Sequence, residues 1–176
     1  DALNTAVGYY AGLSVTTGQR NVLVGGQAGD ALTDADDNVA MGTSALTADT
    51  LGSRSVAIGK EALAAQNFTT ATMSNNTAVG AFAGNAVTTG IQNTMLGANA
   101  GDALTDADYN VAIGASALTA DTLGSASVAI GNGALGSQNF TTATSSFNTA
   151  VGMDAGGGVT TGIYNTFLGG DAGKLL

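Results

Sequence analysis

The sequence contains no cysteine, proline, histidine or tryptophan, and these absences exclude whole classes of chemistry. Without Cys or His there is no Ser–His or Cys–His nucleophile pair, no soft-ligand zinc, haem or iron–sulfur site, and no disulfide framework. Positive charge is scarce as well: Arg20, Arg54, Lys60 and Lys174 are the only basic residues against 13 acidic ones, for a net charge of −9. Nucleic acids and anionic membranes are bound through clustered Lys and Arg, so neither is an expected partner. No apolar run approaches the roughly 20 residues that a membrane-spanning helix needs, and no membrane insertion is expected of this segment. The initial Asp1 in place of Met leads us to expect a processed product or a piece of a longer chain.

Small residues fill the space that these types leave. Ala 33, Gly 27 and Thr 24 make up 84 of the 176 residues. Abundant Gly with little charge invites a disordered reading, yet 44% of the chain is hydrophobic, whereas disorder goes with low hydrophobicity. Order must then come from repetition rather than bulk.

One nine-residue pattern recurs ten times: Asn or Ser, Thr or Val, a residue that is usually Ala, an aliphatic, Gly, two variable residues, Ala, then Gly or Leu. It begins at Asn4, Asn21, Asn38, Ser55, Asn76, Asn93, Asn110, Ser127, Asn148 and Asn165, so successive copies lie 17 or 21 residues apart. A 72-residue super-repeat overlays it, with residues 4–75 matching 76–147 at 51 of 72 positions and a partial third copy over 148–176. The fifth position is Gly in all ten copies, Gly8 through Gly169, and the eighth is Ala in all ten. Identity at fixed period is the mark of a solenoid whose coils contact only their neighbours. Segments such as Asn110-Val111-Ala112-Ile113-Gly114 are short, β-branched and closed by Gly, and a period of 17 is too short for two helices with turns. We therefore expect one all-β domain over 1–176, a parallel β-solenoid of about ten coils and about 45 Å long at the usual strand spacing. The Gly is expected at a bend with positive φ or a close backbone approach, and the Ala in a narrow second layer where larger residues would overpack. Asn at the first position is either an amide ladder along the stack or a turn residue.

Strand alternation puts the second and fourth positions on one face and the third on the other. Both read apolar, because the third is Ala in seven copies and Leu23, Met95 or Phe167 in the rest. One face closes the coil; the other calls for cover by another chain, so a homo-oligomer is expected.

The segments Ser55-Val56-Ala57-Ile58-Gly59, Asn110-Val111-Ala112-Ile113-Gly114 and Ser127-Val128-Ala129-Ile130-Gly131, each followed by Ala three residues after the Gly, resemble the head repeats of YadA-like trimeric autotransporter adhesins. The Asn-Thr-Ala-Val-Gly versions at Asn4, Asn76 and Asn148 are similar to repeats in tail-fibre proteins of tailed phages. The resemblance covers practically the whole chain, although the coils are longer than the compact coils of the adhesin heads. It implies a left-handed β-roll, three chains side by side, on a cell or virion surface, working as an adhesin or receptor-binding fibre for a glycan or protein ligand.

Three features invite a site. Asp30, Asp34 and Asp36, repeated as Asp102, Asp106 and Asp108, offer several hard oxygens to Ca²⁺; as a plain alternative they form a solvated turn. Each 21-residue coil has four extra residues near Asn67-Phe68 and Asn139-Phe140, expected to protrude and to carry aromatic ligand contacts unless the Phe folds back onto the core. The sixth and seventh positions vary (Tyr9, Tyr10; Phe82; Met153, Asp154), as exposed positions do. A glycosidase carboxylate pair needs a cleft and one raised pKa, which a convex rod does not offer, so no enzymatic activity is expected. Two other readings remain: a self-assembling filament stacking head to tail through uncapped sheet edges, and an ice-binding solenoid, disfavoured because second-position Thr is interrupted by Val.

Overall fold

The computed structural model describes residues 2–175. The described chain is an all-β parallel solenoid. Ten three-residue strands form its main sheet: β1 (Thr5–Val7), β2 (Val22–Val24), β3 (Val39–Met41), β5 (Val56–Ile58), β7 (Thr77–Val79), β8 (Thr94–Leu96), β9 (Val111–Ile113), β11 (Val128–Ile130), β13 (Thr149–Val151) and β14 (Thr166–Leu168). They stack in chain order. The registers pair equivalent positions throughout, for example Thr5 with Val22 and Val56 with Thr77. Two short pairs lie beside the main sheet: β4 (Gly52–Ser53) with β6 (Thr72–Met73), and β10 (Gly124–Ser125) with β12 (Thr144–Ser145). Each pair joins the end of a 17-residue coil to the end of the longer coil that follows it.

Outside the strands the backbone repeats one dihedral pattern. Four residues per coil have positive φ: the one before the first position, the fifth, the seventh and the ninth. At the seventh the values run from +53° to +65°, and nine of the ten residues there are not Gly. This alternation lets the turn layer bond to both neighbours, as Ser44 N–H does to Gly26 O (2.9 Å) and Leu46 N–H does to Ala62 O (3.0 Å). The coils are thereby stitched on both sides of the core.

The third position points inward. Leu23, Ala40, Ala57, Ala78, Met95, Ala112, Ala129 and Ala150 are all fully buried, as are the eighth-position Ala residues from Ala28 to Ala134 and Ala155. The interior is narrow, and its two large-residue rows complement each other. Where the third residue is large (Leu23, Met95, Phe167), the ninth is Gly in its own coil and in the coil before it; where the third is Ala40, Ala57, Ala112 or Ala129, the ninth is Leu46, Leu63, Leu118 or Leu135. A Cβ added at Gly84 would lie 2.8 Å from the Met95 Sδ and Cε atoms. Met95 thus occupies the room that the glycine leaves.

The first-position Asn bonds along the stack, as the ladder reading expects, and the unusual backbone angle falls on the residue before it. Asn21 Nδ2 donates to Ala35 O (2.7 Å) and closes its own coil, while its Oδ1 accepts the N–H of Asn38 (2.9 Å) in the next. The same pair of bonds recurs from Asn93, to Ala107 O and from Asn110 N–H. The ladder therefore runs mainly from side chain to backbone, and it stops at Ser55 and Ser127, where the longer coils begin.

Candidate functional site

The acidic turns do not gather into a cation site. Asp30 accepts from Thr47 Oγ1 (2.6 Å), Asp34 from Thr17 Oγ1 (2.6 Å) and Asp36 from the Gln19 N–H (2.8 Å). In the second super-repeat Asp102 accepts from Thr119, Asp106 from Thr89 and Asp108 from the Ile91 N–H. Each carboxylate reaches a different donor in an adjoining coil, and among the described residues no three acidic side chains converge on a point. These residues bond neighbouring coils to one another. Asp37 pairs with Arg20 (2.5 Å), whose guanidinium holds its carboxyl below the usual carboxylate range.

The longer coils turn their aromatic residues inward. Phe68 and Phe140 are each 6% exposed, so neither offers a ring to a ligand, and the outward aromatic contact expected of them is withdrawn. Asn67 and Asn139 are exposed and accept from the Thr50 and Thr122 hydroxyls. What projects from each loop is a polar tip, Thr69 to Ala71 and Thr141 to Ala143.

Beneath these loops lies a polar cluster that sequence reasoning missed. The twelfth position of successive coils is a core row reading Val15, Leu32, Asp49, Gln66, Val87, Leu104, Asp121, Gln138, Val159. Asp49 is fully buried and accepts from the N–H groups of Gly52 (3.0 Å) and Phe68 (3.1 Å) and from Gln66 Nε2 (2.6 Å). Gln66 donates also to Ser55 Oγ (3.0 Å) and accepts from Asn76 Nδ2 (2.9 Å). Asp121, Gln138, Ser127 and Asn148 repeat these bonds, and Ser127 bonds Ser146 as Ser55 bonds Ser74. No described buried side-chain polar atom lacks a partner. The pair anchors the extra segment of the longer coil, since Phe68 N–H and Phe140 N–H have the carboxylates as acceptors. The signal available in the sequence was the recurrence of Ala-Asp-Thr at the place where the other coils carry Val or Leu.

Burial pushes the Asp49 carboxyl above the usual carboxylate range, with its hydrogen bonds opposing the shift. The native state then holds this proton to higher pH than the unfolded chain does, so stability should rise as pH falls from 7 through the native pKa of Asp49. Asp37, with a lowered pKa, acts in the opposite sense and only at lower pH. Thermal melting of the wild type is expected to gain more than that of Asp49→Asn as pH falls from neutral into the ordinary carboxylate range. Parallel curves for the two proteins would refute the assignment.

The outer face of the main sheet is exposed along the rod. Its second and fourth positions alternate Val or Thr with Val, Ile, Leu or Met, and none of the twenty side chains is buried. Leu96 is 47% exposed and Met41 39%. The inside face of the strand is therefore the Ala-rich one, and the branched residues point out. The variable sixth position is exposed in nine of ten coils; there Tyr9 stacks on Tyr10 at 3.9 Å, and the Lys60 ammonium sits 5.0 Å from the Phe82 ring. No helix among the described residues is long and apolar enough to cross a membrane. Comparison with family models, with characterised proteins and with solved structures finds no match.

Proposed function

We propose that the chain is a rigid segment of an extracellular fibre, three copies side by side, that presents an adhesive surface on a cell or virion. The observation that carries this reading is the outer face of the ten-stranded sheet, where an unbroken row of Val, Met, Ile and Leu at the fourth position runs beside a row of Val and Thr at the second. A soluble antiparallel sheet leaves its solvent side polar, whereas parallel sheets are covered on both faces, and a contiguous apolar patch of several hundred Å² marks an interaction site. Covering that face with the same face of other copies satisfies every chain at once, and the similarity of the repeats to YadA-like heads points to three chains and a left-handed roll. Its role is binding rather than catalysis: the carboxylates are spent on inter-coil bonds, and the surface carries no His or Cys.

Sedimentation tests the assembly. The wild type is expected as one concentration-independent species of three chains, and Ile113→Lys with Val128→Lys is expected to yield single chains with the β signature intact. A wild-type monomer would overturn the reading, and open-ended growth would favour the filament.

A further inference from the structure

The residue just before each first position has φ between +50° and +65° in all ten coils, and it is never Gly. The row reads Leu3, Arg20, Asp37, Arg54, Asn75, Gln92, Tyr109, Ala126, Phe147, Tyr164. In this left-handed region a β-carbon is disfavoured by roughly 1 kcal/mol, and Gly or Asn is the undemanding choice. At the ninth position, where φ is similar, the fold takes Gly or a core-filling Leu. The seventh position likewise carries side chains at this φ in nine of ten coils, so the backbone tolerates them, and the row before the first position is set apart by what it presents to solvent rather than to the core.

The internal duplication makes the same point. All four of these positions differ between the first two super-repeats (Arg20 and Gln92, Asp37 and Tyr109, Arg54 and Ala126, Asn75 and Phe147), although the copies agree at 51 of 72 positions overall. The acidic turn and the long loop, by contrast, are identical from Asp30 to Asp36 and from Gln66 to Thr72 in their counterparts. In the first copy the row is charged and borders a cleft of about 190 Å³ that both arginines line. In the second copy it reads Gln92, Tyr109, Ala126 and Phe147, and Tyr164 follows in the third. Tyr109, Phe147 and Tyr164 are 54%, 49% and 71% exposed, and the last two rings stack in parallel at 5.3 Å and 13°. Ala126 falls between Tyr109 and Phe147, which stand two coils, or about 10 Å, apart along the stack.

We propose that this stripe is a glycan-binding surface, with the uncharged face of a pyranose ring seated between Tyr109 and Phe147 and the chain continuing over Tyr164. The proposal rests on the adhesive reading above and gives it a ligand class. Flat, rigid aromatic rings supply contact area with little loss of conformational freedom. No Lys or Arg stands in these coils, which suits a neutral sugar better than an acidic one. With a net charge of −9 and no Lys or Arg between residues 61 and 173, this half of the rod repels polyanions.

The test is an array of neutral linear oligosaccharides of glucose, galactose, mannose and N-acetylglucosamine, with sialylated and uronate-containing glycans beside them. Binding of the full chain is followed in solution by calorimetric titration, which needs no reporter residue in the stripe. The wild type is expected to bind a neutral member, and Tyr109→Asn, Phe147→Asn and Tyr164→Asn together to weaken that binding at least tenfold. Asn is at home in this backbone conformation and already stands at Asn75, so melting and sedimentation of the variant should be unchanged; Tyr9→Ser should leave binding intact. If only acidic glycans bind, or the triple variant binds as the wild type does, the stripe is not the site although the adhesive reading stands. If the triple variant dissociates into single chains, the stripe is a contact between copies and the proposal falls.

Discussion

Gly97→Ala is expected to destabilise the rod by about 4 kcal/mol or more, lowering the melting midpoint by about 10 °C for a chain of this size. Two separate causes act at the fifth position. The φ there is +138°, a region that residues with a β-carbon rarely enter and that costs about 1–3 kcal/mol. A Cβ on Gly97 would also lie 2.6 Å from the carbonyl carbon and oxygen of Gly114 in the next coil, and neither neighbour is a side chain that can swing away. The molecule contains the controls that separate these causes. Gly169 has φ of +112° in the last coil with nothing within 4 Å of the added atom, so Gly169→Ala should show the conformational cost alone; Gly26, with open space and no positive φ, should tolerate Ala. Melting of the three variants is expected to rank them Gly97, Gly169, Gly26 in decreasing damage. Equal effects at Gly97 and Gly26 would show that the coils do not approach as closely as described.

The same glycine shows how far the sequence could be read. Ten identical residues at fixed spacing announced a position where only Gly fits, because the demand is repeated and nothing substitutes for it. The strand faces were legible for a similar reason, since alternation separates Ala112 from Val111 and Ile113. Which face lies inside was not, because both are apolar; the interior width decides, and Ala fits it. The positive φ before the first position and at the seventh was invisible, since Arg20, Tyr109 and Glu61 are not residues that announce such a backbone. Asp30 and its companions misled through spacing: along the chain they look like a set of ligands, but a neighbouring coil about 4.8 Å away supplies donors closer than they are to one another. Asp49 was overlooked for the opposite reason. A single carboxylate among Ala and Thr reads as surface until the twelfth positions are aligned and it falls in the row of Val15 and Leu32. Phe68 follows the same logic, as its N–H is tied to Asp49 and its ring is drawn in with it.

The size complementarity of the third and ninth positions yields the second large effect. Met95→Ala should cost about 2–5 kcal/mol, because the side chain is fully buried and its removal leaves a cavity over Gly84 and Gly101. Gly101→Leu should cost about 1–3 kcal/mol by overpacking: the added Cβ already lies 2.9 Å from Leu104 Cδ1 and 3.1 Å from Met95 Cγ and Sδ. Its backbone conformation is not the obstacle, since φ is +58° at Gly101 and +55° at Leu118, which carries Leu without help. The two changes together give the sixth coil the third- and ninth-position pair of the seventh, Ala112 with Leu118, although Leu104 stands where the seventh has Asp121. The double variant should then be more stable than the sum of the single effects predicts, with a coupling within the 0.5–3 kcal/mol seen for residues in contact. It should still fall short of the wild type by about 1 kcal/mol, because the room that Met95 filled over Gly84 stays empty. Denaturant midpoints for the four proteins give the coupling directly. Additive effects would mean that the rows do not pack against each other, and the 72-residue super-repeat would then lose the packing rule that we read in it: a large residue at the third position wherever two successive ninth positions are Gly.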